Sequence, residues 1–173
     1  MHADYYCQSL KGLRDQQVRF APREKKIEQV NRTEKLLTEI EPSRVDTHEY
    51  LCFRITDFRP EGNVQERISG EQVTHDLRLF VEDLSDSADI RVEDIPEPVH
   101  TVDDLSNMFH VSTKTISRWR NQGLVSRRFI FDGRKRVGFL QSSVERFVAR
   151  NRERVKRGER FSQLSEQERG EII

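Results

Sequence analysis

The dipeptide Asp132-Gly133 sits between two β-rich stretches, Arg127-Arg128-Phe129-Ile130-Phe131 and Arg134-Lys135-Arg136-Val137-Gly138-Phe139. Asp-Gly readily supplies the two left-handed backbone positions of a tight hairpin turn, so the chain reverses there. Phe129 and Phe131 then fall on one strand, with Val137 and Phe139 on the other. This predicts a hairpin over about 127–140. No other stretch carries a comparable β signal, and the rest reads as mainly α.

Helical periodicity flanks the hairpin. Thr101-Val102-Asp103-Asp104 forms a capping box, and Val102, Leu105, Met108 and Phe109 give a two-turn helix one apolar face. His110-Val111-Ser112 interrupts it, and Ser112 or Thr113 caps a second helix in which Ile116 and Trp119 point inward. Gly123 is the expected left-handed residue after it, before Leu124 and Val125 return to the core. Two short helices about three residues apart, the second Arg-rich, are the helix-turn-helix signature. The hairpin behind them reads as a wing whose basic tip, Arg134-Lys135-Arg136, meets phosphates or a minor groove. Lys114, Thr115, Ser117, Arg118 and Arg120 lie off the Ile116/Trp119 stripe and are expected to face outward. With Arg127, Arg128, Arg134, Lys135 and Arg136 they form the candidate DNA-binding set. Two helices of a plain bundle are the alternative. Ser142-Ser143-Val144-Glu145 caps a further helix with Val144, Phe147 and Val148 inward, and Arg150 to Arg157 continues it as a basic extension suited to a phosphate backbone.

Charge supports that division. The formal net charge is zero, yet residues 1–98 carry 14 Lys and Arg against 21 Asp and Glu, while residues 99–173 carry 16 against 9. Within 114–160 the balance is 15 to 4. Such asymmetry points to a polyanion-binding C-terminal part, with a merely solvated basic helix as the alternative. Hydrophobic residues make up 34% and charged residues 35%, which suits modest helical modules rather than one large core.

Upstream, residues 1–21 lack clear periodicity and are expected to be a loosely ordered lead-in. Residues 22–84 read as a helical region. Ile27, Val30, Leu36, Leu37 and Ile40 make an amphipathic helix after Pro22, and Val73, Leu77, Phe80, Val81 and Leu84 make another. Residues 46–58 fit a strand or a helix, and a helix is favoured because no partner strand is evident. Glu82 and Asp83 oppose the dipole at their helix end, which calls for a basic neighbour or solvent. Residues 85–98 read as an acidic, Pro-containing linker, residues 99–150 as the winged helix-turn-helix, and residues 151–173 as a basic extension and an incomplete C-terminal helix. That last helix starts at the capping box Ser165 to Glu168 and implies relatives that continue further.

Thr101–Val148 resembles the winged helix-turn-helix of the MerR and excisionase type, chiefly through Val111 to Val125, Gly133 to Phe139 and Ser143 to Phe147. The resemblance implies that Thr115, Ser117 and Arg118 contact the major groove and that Ile116 and Trp119 are core. Here an acidic region of almost 100 residues precedes that domain. The chain also resembles the N-terminal part of a planctomycete group of RNA polymerase sigma factors. Leu13 to Lys26, His75 to Phe80, Glu82 to Ser87 and Val111 to Val148 carry that likeness. It implies a sequence-specific DNA-binding transcription protein, with double-stranded DNA and core RNA polymerase as partners. Members of the group continue into further helix-turn-helix elements.

An enzyme finds little support. His2, His48, His75, His100 and His110 are scattered outside metal-binding spacings, and no P-loop, G-x-S-x-G or G-x-G-x-x-G occurs. His75 and Asp76 read as a surface pair rather than a dyad, and Cys52 beside Leu51 and Phe53 as a buried thiol. No catalytic residue, metal or cofactor is expected. Two distant cysteines, Cys7 and Cys52, fit a reducing cytoplasm, and no apolar run is long enough to span a bilayer. The other functional readings are a MerR- or excisionase-like regulator, a DNA-architectural protein, or a helical adaptor built on residues 22–84.

Overall fold

The computed structural model describes residues 4–60 and 66–159. The chain divides into two compact units, one ending at Ile90 and the other starting at Arg91. The protein is mainly helical with small antiparallel sheets.

The first unit contains α1 (Gln8–Phe20), α2 (Arg23–Glu39), β1 (Val45–Thr47), α3 (His48–Thr56), β2 (Arg67–Ser69) and α4 (Gly70–Ser87). Both α1 and α2 pack on α4. The α4 stripe Val73, Leu77, Phe80, Val81 and Leu84 is fully buried, as its spacing predicts. On α2, Val30 and Leu36 are buried with Gln29, Thr33 and Glu34, while Ile27, Leu37 and Ile40 are half-buried.

The structure departs from several of these expectations. The lead-in is not loose, because α1 occupies most of it and buries Leu10 and Leu13. Its anchor is Asp76, a fully buried carboxylate of α4 that accepts the Tyr6 and Cys7 backbone N–H groups, each at 2.8 Å. Asp76 also bonds the adjacent His75 Nδ1 at 2.9 Å, so this is no surface pair. Second, residues 46–58 hold the favoured helix, but β1 precedes it and pairs antiparallel with β2. The pair closes tightly: a Cβ on Gly70 would lie 2.0 Å from the Glu41 carbonyl oxygen. Third, residues 85–98 are not a free linker. Helix α4 runs on to Ser87, Ala88 and Ile90 are buried, and Val92–Asp94 forms a 3-10 turn in the second unit. The Glu97 carboxylate there accepts the Ser142 N–H at 2.8 Å. At the other end of the stripe, Asp83 has its basic neighbour in Arg14 at 2.6 Å and also accepts the Tyr5 hydroxyl.

The second unit continues with β3 (Val99–His100), α5 (Val102–Phe109), α6 (Thr113–Asn121), β4 (Arg127–Phe131), β5 (Arg134–Leu140) and α7 (Gln141–Arg150). A further helix, α8, covers residues 152–159. The sheet order is β3-β5-β4, all antiparallel. The β4–β5 hairpin stands where the sequence puts it, with positive φ at Asp132 (47°) and Gly133 (80°). The two-residue strand β3 is too short to leave a periodic pattern in the sequence. Thr101 and Asp104 form the expected capping box. Helix α7 instead starts at Gln141 without a side-chain cap, and Glu97 satisfies the Ser142 N–H. One core gathers Leu105, Val111, Ile116, Trp119, Leu124, Phe139, Val144, Phe147 and Val155. The basic extension therefore does not run free over 151–159, because Val155 of α8 joins that core. The capping box at 165–168 lies outside the described residues. Among the described residues no helix is long and apolar enough to cross a membrane.

Candidate nucleic-acid interface

Ser112 caps α6 by accepting the Thr115 N–H at 3.2 Å. The turn before it is set by His110 in the left-handed region (φ 53°) and by the Ser106 hydroxyl donating to the Val111 carbonyl. On the inner side of α6, Ile116 is fully buried and Trp119 is 3% exposed. The indole lies edge-on to Phe109 and tilted against Phe147, with ring centroids 5.5 Å apart in each case. These contacts fix the rotation of α6 about its axis, because an aromatic pinned on two sides resists turning.

The opposite side follows from helical geometry. Lys114, Ser117, Arg118 and Asn121 recur at helical spacing, and all four are exposed. Lys114, Ser117 and Arg118 have no partner among the described residues. Two residues expected to face outward do not. Thr115 is half-buried, with its hydroxyl 3.1 Å from Ser112 Oγ and its methyl turned toward Gly158 of α8. Arg120 is half-buried and donates from Nε to Ser126 Oγ at 3.2 Å, tying α6 to the chain that enters β4.

The hairpin sorts its basic residues similarly. Arg134, Lys135 and Arg136 are exposed around the turn, and Arg134 and Arg136 have no partner among the described residues. Lys135 and the half-buried Arg128 are both engaged. Arg127 is 6% exposed, which removes it from the accessible set. Strand alternation explains this, since Arg127 shares the face of the buried Phe129. Opposite it in the ladder is Gly138, where a Cβ would lie 2.7 Å from the Phe129 ring. Of the ten candidates, the accessible and uncommitted ones among the described residues are thus Lys114, Ser117, Arg118, Arg134 and Arg136. Asn121, on the same face of α6, was missed as a candidate although the i, i+3, i+4, i+7 pattern contains it.

In the first unit, His48 and Cys52 meet one turn apart on α3, with Nε2 3.2 Å from Sγ. Burial pushes the Cys52 thiol up to about 11 and pulls the His48 imidazole below its ordinary value. Both shifts favour the neutral forms, which opposes formation of a thiolate-imidazolium nucleophile. Among the described residues no group of three or more His, Cys, Asp or Glu is placed to hold a metal ion.

Comparison with protein families, with curated proteins and with solved structures finds no match to this chain.

Proposed function

We propose that the second unit binds double-stranded DNA as a winged helix-turn-helix, with α6 in the major groove and the β4–β5 tip against the adjoining backbone. The observation that carries this reading is the exposed face of α6. Lys114, Ser117 and Arg118 stand there uncommitted, on a helix whose other face is locked by Ile116 and Trp119. A protein surface that leaves guanidinium and ammonium groups without carboxylate partners suits a polyanion, and helical spacing suits base edges. Arg134 and Arg136 at a hairpin tip suit phosphates, whose contacts position without specifying sequence.

The resemblance to the sigma-factor group supports a role in transcription, within the cytoplasm, with the first unit docking on core RNA polymerase. Salt tests the DNA reading. Affinity for a random duplex should fall steeply and linearly in log–log form as salt rises. A flat response would exclude it. A pull-down of core polymerase by the full chain, lost on removal of residues 1–90, would separate the sigma-like role from simple repression.

A further inference from the structure

The first unit holds a cavity of about 660 Å³ between α1, α2 and α3, within the size range of small-molecule sites. Leu13, Pro22 and Phe58 supply apolar wall. Among the described residues its charged lining is one-signed. Lys25 and Arg59 border it and no carboxylate does among the described residues, although residues 1–90 carry 18 Asp and Glu against 13 Lys and Arg. Both cations hold surface partners, Lys25 with Glu28 at 3.5 Å and Arg59 with Glu49 at 3.4 Å. Such exposed pairs are weak and yield to a better-placed anion.

The second observation is independent. Gln29 is 6% exposed and donates its amide N–H to Gln17 Oε1 at 2.8 Å, but its own Oε1 is buried without a donor. Ser9 Oγ is also buried without a partner. Both residues line this cavity, and among the described residues Asp46 Oδ2 is the one other side-chain atom in that condition. Orphaned buried polar atoms are uncommon and costly, so a ligand donor that reached either of them would be favoured.

We infer that this cavity binds a small organic anion whose planar ring carries an N–H donor, the donor meeting Gln29 and Ser9 and the charge meeting Lys25 and Arg59. The site belongs wholly to the first unit and does not depend on the DNA reading. The test titrates the full chain while following backbone amide chemical shifts. The probes are indoleacetate and uridine monophosphate. The controls are indoleacetamide and uridine, which lack the charge, and naphthaleneacetate, which lacks the N–H. At least one probe should shift Ser9, Leu13, Gln29 and Cys52 together, and should bind about tenfold tighter than its controls. Lys25→Ala with Arg59→Ala, both at exposed positions, should erase the gap between charged and neutral compounds while leaving the melting temperature unchanged. Gln29→Met should erase the gap between indoleacetate and naphthaleneacetate. The inference fails if neither probe moves those amides at millimolar concentration, or if the controls bind as tightly as the probes.

Discussion

Trp119 gives α6 its inner and outer face, so its removal tests the geometry of the whole interface. The indole is 3% exposed and meets aromatic rings on two sides. Trp119→Ala should cost about 3–5 kcal/mol, as large aromatic truncations in cores do, read from the urea midpoint at constant slope. An unchanged midpoint would mean that the ring is not a core member. Outward of it, Arg118 is an uncommitted guanidinium on the exposed face, and its fork matches guanine O6 and N7. If the second unit binds DNA as proposed, selected duplexes should contain a guanine that depends on Arg118. Arg118→Ala should lose about 1–3 kcal/mol of discrimination at that base pair. Replacing the guanine by its deaza analogue lacking N7 should reproduce part of the loss. Arg134→Ala should instead weaken all sequences alike and lower the salt slope by about one. Equal losses for both variants on selected and random DNA would leave a non-specific polyanion binder. Ile116 and Trp119 were legible from spacing alone, and so was the exposure of Lys114, Ser117 and Arg118. Thr115 and Arg120 were not, because the groups they meet, Gly158 of α8 and Ser126, are brought there by tertiary folding. Arg127 was legible in principle, since period-two alternation puts it on the Phe129 face.

At the scale of elements, the hairpin and α4 could be read ahead because each carries an uninterrupted pattern and its own turn or cap chemistry. Helix α1 could not. Its buried aliphatic residues are just Leu10 and Leu13, and its start is fixed by Asp76, far away in sequence. Asp76→Ala should thus act on α1 before anything else, leaving two backbone N–H groups unpaired. The expected cost is about 2–4 kcal/mol, and hydrogen exchange should accelerate across α1 more than across α2. Uniform acceleration over the unit would deny Asp76 this local role. Helix α3 and the start of α1 together give a pH signature. The Cys52 thiol is raised from 9.0 to about 11 and Cys7 from 9.0 to about 12, so unfolding lets both ionise more readily. Their contribution is fully present below pH about 9 and is lost as pH rises through about 11–12. Neutral His48, held below 6.5, works in the other direction: its contribution is present above about 6.5 and is lost as pH falls. Urea midpoints across pH should fall on both limbs. Cys52→Val should flatten the alkaline limb, and an unaltered limb would assign the loss to other groups.

The whole molecule is where charge patterning told most and boundaries told least. The sign change along the chain anticipated two parts, and the structure divides it between Ile90 and Arg91. The acidic stretch reads as linker in the sequence because prolines and carboxylates resemble one in composition. Its residues are instead shared out by specific contacts: Ala88 and Ile90 are buried, Glu97 holds the Ser142 N–H, and Val99–His100 joins the sheet. Composition cannot report contacts of that kind. The division leads to a prediction about field rather than contact. Residues 1–90 carry 13 Lys and Arg against 18 Asp and Glu, and residues 91–173 carry 17 against 12. If the second unit binds DNA, the acidic first unit works against it through long-range repulsion of phosphates. That repulsion is screened over about 10 Å at about 0.1 M salt. Residues 91–173 alone should therefore bind a random duplex more tightly than the full chain at low salt, and the two affinity curves should converge as salt rises. The fragment should also show the steeper salt slope. Fluorescence anisotropy on both proteins over one salt series measures this. Parallel curves that never converge would place the difference in direct contacts, and a full chain tighter at every salt would make the first unit a DNA-binding element in its own right.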